Sequence, residues 1–263
     1  MYLLNIFFSP LRTLKSESQY WMTLATSSIA QRYKRSIIGP FWTTIMVGIQ
    51  ALTMSIIVTF IFKGEIEKFI PYVCLGIIFW GFVTSIINES ATVFQNYKNY
   101  ILQFNKPYYL YVAANTYKNF ISLIHNFTIY LIIMFIFGIY PSFFCLLIFI
   151  INFCFICFTL SWLSFFIAVL GIRYRDIPPM ISALFIMLFW LTPIIYTPSQ
   201  LGEISFILDY NFFTHIIDLL RKPFFNEIPS LINYLYLIIF NILGIPLLLI
   251  FYKKVKNSII FWL

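Results

Sequence analysis

Charged residues punctuate this chain rather than pattern it. Residues 36–62, 69–88, 119–172, 177–202 and 228–252 contain no Asp, Glu, Lys or Arg. A helix needs about 20 apolar residues to cross the hydrocarbon core of a bilayer. Four of these runs are one such helix long. The fifth, Asn119 to Ile172, is two, because "FGIYPS" (Phe137–Ser142) sets a Gly and Pro turn signal inside it. The pattern therefore predicts six transmembrane helices, at about 36–62, 69–90, 117–138, 142–170, 177–197 and 230–252.

The flanks and connections read differently. Residues 1–35 form no span, since Ser, Thr, Arg12, Lys15 and Glu17 interrupt them. Leu14, Trp21, Leu24, Ile29 and Tyr33 recur at loose helical spacing, which predicts an amphipathic helix at the membrane interface. A tail packed on the protein is the other reading. "YLLNIFF" is too short an apolar core for a cleavable signal peptide, and no small-residue cleavage site follows it. Two connections are long, Glu89–Lys118 and Thr197–Pro229. The second is half apolar ("ISFILDYNFFTHIIDLLRKPFF") and is expected to form short re-entrant helices between spans five and six. Such backbone is tolerated at membrane depth only when packed on protein or lining a cavity. Residues 36–252 are then one all-α polytopic membrane domain, and 253–263 a tail.

Composition agrees. The chain is 61% hydrophobic and 10% charged, with a mean hydropathy of +0.90; a soluble domain carries about 25% charged residues. The net charge of +8 does not indicate nucleic acid, because the basic residues cap apolar runs and so act as orientation signals. With both termini inside, thirteen Lys and Arg fall on the cytoplasmic side and four outside (Lys63, Lys68, Arg221, Lys222). The four cysteines lie inside apolar runs and behave as small hydrophobes.

Much chemistry is absent from the sequence. It holds no Walker A pattern, HExxH or GxSxG. Carboxylates are nearly missing from the spans, and only Glu89 stands near one, at the inner end of span two. Ion-coupled carriers usually need intramembrane ionisable groups. The expectation is a passage powered from outside this chain, with no metal or cofactor bound by the chain itself.

Several stretches are familiar at this point. "QRYKRSIIGPFW" before span one, "YKNYILQFNKPYYLYVAAN" (Tyr97–Asn115), "GIRYRDIPPMI", "FWLTPIIY" (Phe189–Tyr196) and "NFFTHIIDLLRKP" resemble, in order, segments of ABC-2-type permeases that export polysaccharides such as O-antigen, capsule or teichoic acid. One departure is Phe212, where that family more often has Pro. The resemblance implies a non-catalytic permease subunit that works as a homodimer in the bacterial inner membrane. Two copies of a separate ABC ATPase carry the ATP and Mg. The cargo is a long glycan on a polyprenyl diphosphate, moved out of the cytoplasm.

The resemblance also assigns roles. Asn96, Tyr97, Lys98, Tyr100 and Phe104 correspond to a coupling helix that docks on the ATPase, or else form a solvated interfacial helix. Spans one and five are expected to line the path with Trp42, Met46, Gln50 and Thr53, and with Phe185, Phe189, Trp190 and Tyr196. Aromatic faces give sugars broad platforms at little conformational cost; the plainer reading of each is helix packing or a lipid-facing belt. Arg32, Lys34 and Arg35, together with Arg173 and Arg175, are either membrane anchors or a rim for the lipid diphosphate, which suits the planar guanidinium fork. The competing functions are an ABC-2 permease for a small hydrophobic compound and a membrane-embedded enzyme. The second would need a catalytic cluster that the sequence does not show.

Overall fold

The computed structural model describes residues 12–62 and 65–263. The first 11 residues of the expected N-terminal helix, with Lys63 and Gly64 of the first outer turn, lie outside the described residues. The chain is all-α. Among the described residues, five helices are long and apolar enough to cross a membrane: α2 (Phe41–Phe62), α3 (Ile66–Ser90), α6 (Tyr109–Phe137), α7 (Phe143–Arg173) and α11 (Leu231–Val255). Before them lies α1 (Ser18–Arg32). Between α3 and α6 lie the short α4 (Val93–Asn96) and α5 (Lys98–Gln103).

The expected fifth span is shorter than its apolar run. It is helical as α8, Ile177–Leu191, roughly 22 Å long at 1.5 Å per residue, against a hydrocarbon core of about 30 Å. Pro178 and Pro179 start it cleanly, because the first turn needs no N–H donors. Pro193 helps to stop it, because Pro disfavours helical geometry in the residue before it. After the break come a 3₁₀ turn (Pro198–Ser205), α9 (Phe206–Asp209), α10 (Phe212–Arg221) and a second 3₁₀ turn (Lys222–Phe225). Asn211 caps α10 by accepting from the Phe213 amide at 3.0 Å. Phe212, at the first helical position where Pro is well tolerated, instead stacks on Phe240 with ring centroids 4.1 Å apart. Seven of the ten residues of α10 are buried, so this segment is a core element packed on α3, α7 and α11.

Helix α3 is the centre of the bundle. Its most apolar window is 78% buried, against 33% or less in the other four long helices. Two glycines mark close backbone approaches. A Cβ on Gly76 would lie 2.6 Å from the Ile194 carbonyl oxygen, just past the end of α8, and a Cβ on Gly171 would lie 1.9 Å from that of Ala91. Polar side chains join α7 and α11: Trp162 donates to Asn241 at 2.7 Å, and Asn241 donates to Thr159 at 2.8 Å.

There are two cores. One fills the membrane bundle. The other, at the end where α3 and α7 finish and α6 begins, gathers Leu24, Phe94, Tyr97, Tyr111, Phe165 and Ile259. The N-terminal helix is therefore packed on the protein. Tyr20 and Tyr111 share a hydroxyl hydrogen bond at 3.2 Å, as do Ser28 and Tyr97 at 2.9 Å. Trp21 sits edge-on to Tyr117.

Candidate functional site

Between α2, α3 and α8 lies a groove of about 400 Å³, within the usual range of small-molecule sites, roughly 300–1,000 Å³. Helix α2 contributes Val47, Gln50 and Met54. Helix α8 contributes Ser182, Phe185, Ile186, Phe189 and Trp190. The floor is α3, where Ile77, Trp80, Gly81, Thr84 and Asn88 share one face at helical spacing. Trp80 meets Phe185 and Phe189 with centroids 5.7 and 6.2 Å apart.

Of the eight residues expected on the path, the groove brings together Gln50, Phe185, Phe189 and Trp190. Trp42, Met46 and Thr53 are exposed on α2 and are not part of its lining. Tyr196 lies past the end of α8, where its hydroxyl donates to the Trp190 carbonyl at 2.8 Å. The α3 floor escaped the sequence reading, although the four-residue spacing of Trp80, Thr84 and Asn88 was available as a signal.

The basic end is organised by a carboxylate that the sequence placed but did not interpret. Glu89, in the last turn of α3, accepts from Arg32 at 2.7 Å, from Lys118 at 2.8 Å and from Asn119 at 2.7 Å. The bond to Glu89 holds the Arg32 guanidinium above its ordinary pKa, against partial burial. Glu89 thus ties the end of α1 and helix α6 to α3. Lys34 and Arg35 are exposed and make no ion pair among the described residues. Arg173 lies over the rings of Tyr174 and Trp262, 5.1 Å from each, and Arg175 is exposed. The two basic groups share one end of the bundle: Glu89 precedes Ala91 by two residues, and Ala91 abuts Gly171, two residues before Arg173.

The segment assigned to coupling is split by burial. Asn96, Lys98 and Phe104 are exposed, and Tyr100 is half-buried. Tyr97 is buried under α1 and bonded to Ser28, so it faces the protein and not a partner. Burial raises its hydroxyl pKa, with the Ser28 bond acting the other way. Lys98 also reaches the Leu263 carbonyl.

At the opposite end, Arg221 is only 2% exposed. It donates to the Pro193 carbonyl at 2.8 Å and lies over the Tyr72 ring, 3.6 Å from its centre. The Tyr72 hydroxyl donates to the carbonyls of Pro193 and Tyr196, and the Asn211 amide donates to the Leu191 carbonyl. The break after α8 is thereby satisfied inside the protein, which irregular backbone in an apolar setting requires. The two histidines are structural. His125 bonds the Ile121 carbonyl of its own helix rather than another helix, and His215 sits between Asn233 and the Asp209 carbonyl.

A family model described as ABC-2 type transporter matches residues 19–225. The chain belongs to the ABC-2 type transporter family. It is 23% identical over 247 residues to an O-antigen export system permease protein of Klebsiella pneumoniae, covering 87% of this chain and 88% of that one. A second Klebsiella pneumoniae protein of the same name is 22% identical over 244 residues, 86% of each chain. An O-antigen export system permease protein of Myxococcus xanthus is 19% identical over 184 residues, 70% of each chain. As an ABC-2 permease the chain is a membrane protein and a transporter subunit, not a catalytic enzyme, and membership implies an ABC ATPase as partner. The matched region runs from α1 to the turn after α10, so it holds the groove, Glu89 and the coupling segment.

Proposed function

We propose that this ABC-2 permease is the membrane subunit of an ATP-driven exporter that carries a lipid-linked, O-antigen-like polysaccharide from the cytoplasm across the bacterial inner membrane. It works as a homodimer with two ABC ATPase subunits, which hold ATP and Mg. Both termini are cytoplasmic, so the end bearing Arg32, Glu89 and Arg173 faces the cell interior. The observation that carries the reading is the groove between α2, α3 and α8, whose lining combines aromatic and aliphatic side chains with uncharged polar groups. Aromatic faces let a glycan slide without fixing one register. The exposed Lys34, Arg35 and Arg175, with the outer part of Arg32, attract the diphosphate at its mouth. The names of the relatives support the same cargo. An exporter of a small hydrophobic compound would not need Gln50, Asn88 and Ser182 in its lining.

The test is co-expression of the tagged chain with its genomic neighbours, purification in lipid nanodiscs and native mass measurement. The expected result is two copies of this chain with two of a Walker-motif protein, and loss of surface glycan when the gene is deleted. A chain that carries no nucleotide-binding protein, or a deletion that leaves surface glycan intact, overturns the proposal.

A further inference from the structure

The lining of the groove contains no charged side chain. Its four polar residues are not equivalent. Thr84 donates to the Trp80 carbonyl at 2.9 Å, and Ser182 donates to the Pro178 carbonyl at 3.1 Å, so their hydrogens are used within their own helices. The Gln50 amide makes no hydrogen bond among the described residues. The Asn88 amide oxygen meets only the Ser182 hydroxyl, at 3.5 Å, and its nitrogen donates to nothing. One carboxamide without a partner and one held only by a 3.5 Å contact thus line a groove whose other surface is largely apolar and aromatic.

That combination selects a ligand class. A carboxamide offers a donor and an acceptor side by side, which matches hydroxyls that both donate and accept. An anion would find no charge to pair with in this lining. A purely apolar ligand would strand both amides without partners, which is costly in a dry contact. The polar groups also have a position. On α3, Thr84 and Asn88 lie nearer the basic end than Ile77 and Trp80. On α8, Ser182 precedes Phe185, Phe189 and Trp190. A chain entering from the basic end meets Asn88, Thr84 and Ser182 first and the aromatic part, with Gln50 beside it, afterwards.

We propose that Gln50 and Asn88 hydrogen-bond the hydroxyls of two different sugar units of one glycan, with the Trp80 indole between them. Gly48 packs against Ile129 of α6 whereas Glu89 meets Asn119, so the two amides stand about 15 Å apart along the groove at 1.5 Å per residue. This amide pair, and not the aromatic wall, determines which glycan is accepted. The inference rests on the glycan reading above and adds its specificity-determining residues. Sites built to hydrogen-bond a hydroxyl reject ligands that lack it far more strongly than apolar pockets discriminate by size.

The experiment uses the permease–ATPase complex in nanodiscs, titrated with delipidated polysaccharide fragments from the cells that carry the gene. The readout is intrinsic fluorescence, to which Trp80 and Trp190 contribute from inside the groove. Saturable quenching is expected in the unmodified complex, weakened on the order of ten-fold in Gln50→Leu and again in Asn88→Leu, and restored toward the original in Asn88→Gln. The thermal midpoint serves as the folding control. Gln50 is exposed on α2, so Gln50→Leu remains informative if the Asn88 variants do not assemble. Undiminished binding in Gln50→Leu and in the double variant sinks the two amide contacts while leaving glycan export standing. No fragment binding by an intact complex overturns both.

Discussion

The Arg221 guanidinium, at the end of α10, donates to the Pro193 carbonyl just beyond α8 at 2.8 Å, with its plane over the ring of Tyr72. One buried cation thereby joins α10, the break after α8 and the start of α3. Asp218 does not depend on it, because Lys222 approaches Asp218 more closely, at 2.7 Å against 3.5 Å. Arg221→Met therefore leaves the Pro193 carbonyl with only the longer bond from the Tyr72 hydroxyl, at 3.4 Å, and removes the cation from Tyr72. The expected cost is about 2–4 kcal/mol, from the loss of a charge-assisted buried hydrogen bond and of a desolvated cation–π contact. It is read as a lower thermal midpoint in nanodiscs. Arg221→Lys recovers only part of it, lacking the planar fork.

Gly171→Ala tests the contact between α7 and the end of α3. The new methyl would sit 1.9 Å from the Ala91 carbonyl oxygen, and that atom is backbone. Helix α7 must then shift, at a cost of about 1–3 kcal/mol or more. The thermal midpoint should fall, and so should ATPase retention, since Ala91 leads directly into the coupling segment. Gly81→Ala, whose added Cβ meets nothing within 4 Å, should leave the midpoint unchanged or slightly raised.

Glu89 balances two cations, one of them, Lys118, with only 12% of its side chain exposed. Glu89→Gln removes the charge and leaves Arg32 and Lys118 facing each other. A double-mutant cycle of Glu89→Gln with Lys118→Met should show a coupling of roughly 0.5–3 kcal/mol, as contacting charged residues do. Independent, additive effects on the midpoint would mean that the cluster is not a cooperative link.

The coupling segment offers a contrast between stability and docking. Phe104 is exposed, so Phe104→Ala should reduce ATPase co-purification with little change in midpoint, as a docking anchor would. Tyr97 is buried and bonded to Ser28. Tyr97→Phe should lower the midpoint by the worth of one hydrogen bond, about 1 kcal/mol, without weakening ATPase retention. The opposite pairing of results would reverse the assignment of the two rings.

The membrane helices were legible because lipid imposes a one-dimensional rule: a charge inside a span is costly, so charges mark the ends. That rule finds the ends of apolar runs but not the ends of helices. It ran the fifth span on to residue 197, whereas the helix stops at Leu191. The residues from Thr192 to Tyr196 remain apolar and buried in part without being helical, because Arg221, Tyr72 and Asn211 supply the hydrogen bonds that a helix would have made. None of those partners is near in sequence. Tyr97 shows the same limit: an aromatic residue at a membrane edge reads as an anchor until α1 is found lying over it.

The sequence by itself determined what length and charge can determine. These are an all-α membrane bundle, the clustering of cations at helix ends, and, through its motifs, a resemblance to ABC-2 permeases. Tertiary structure decided which side chains meet. It chose α3 as the floor of the groove, placed Gln50 opposite the aromatic residues of α8, and left Trp42, Met46 and Thr53 outside. It also gathered Arg32, Lys118 and Asn119 on Glu89 from two separate stretches of chain. The physical reason is that hydropathy is nearly uniform around most of these helices. Helical periodicity therefore marks no inner face, and only packing, with its demand that buried polar groups find partners, fixes how each helix is turned.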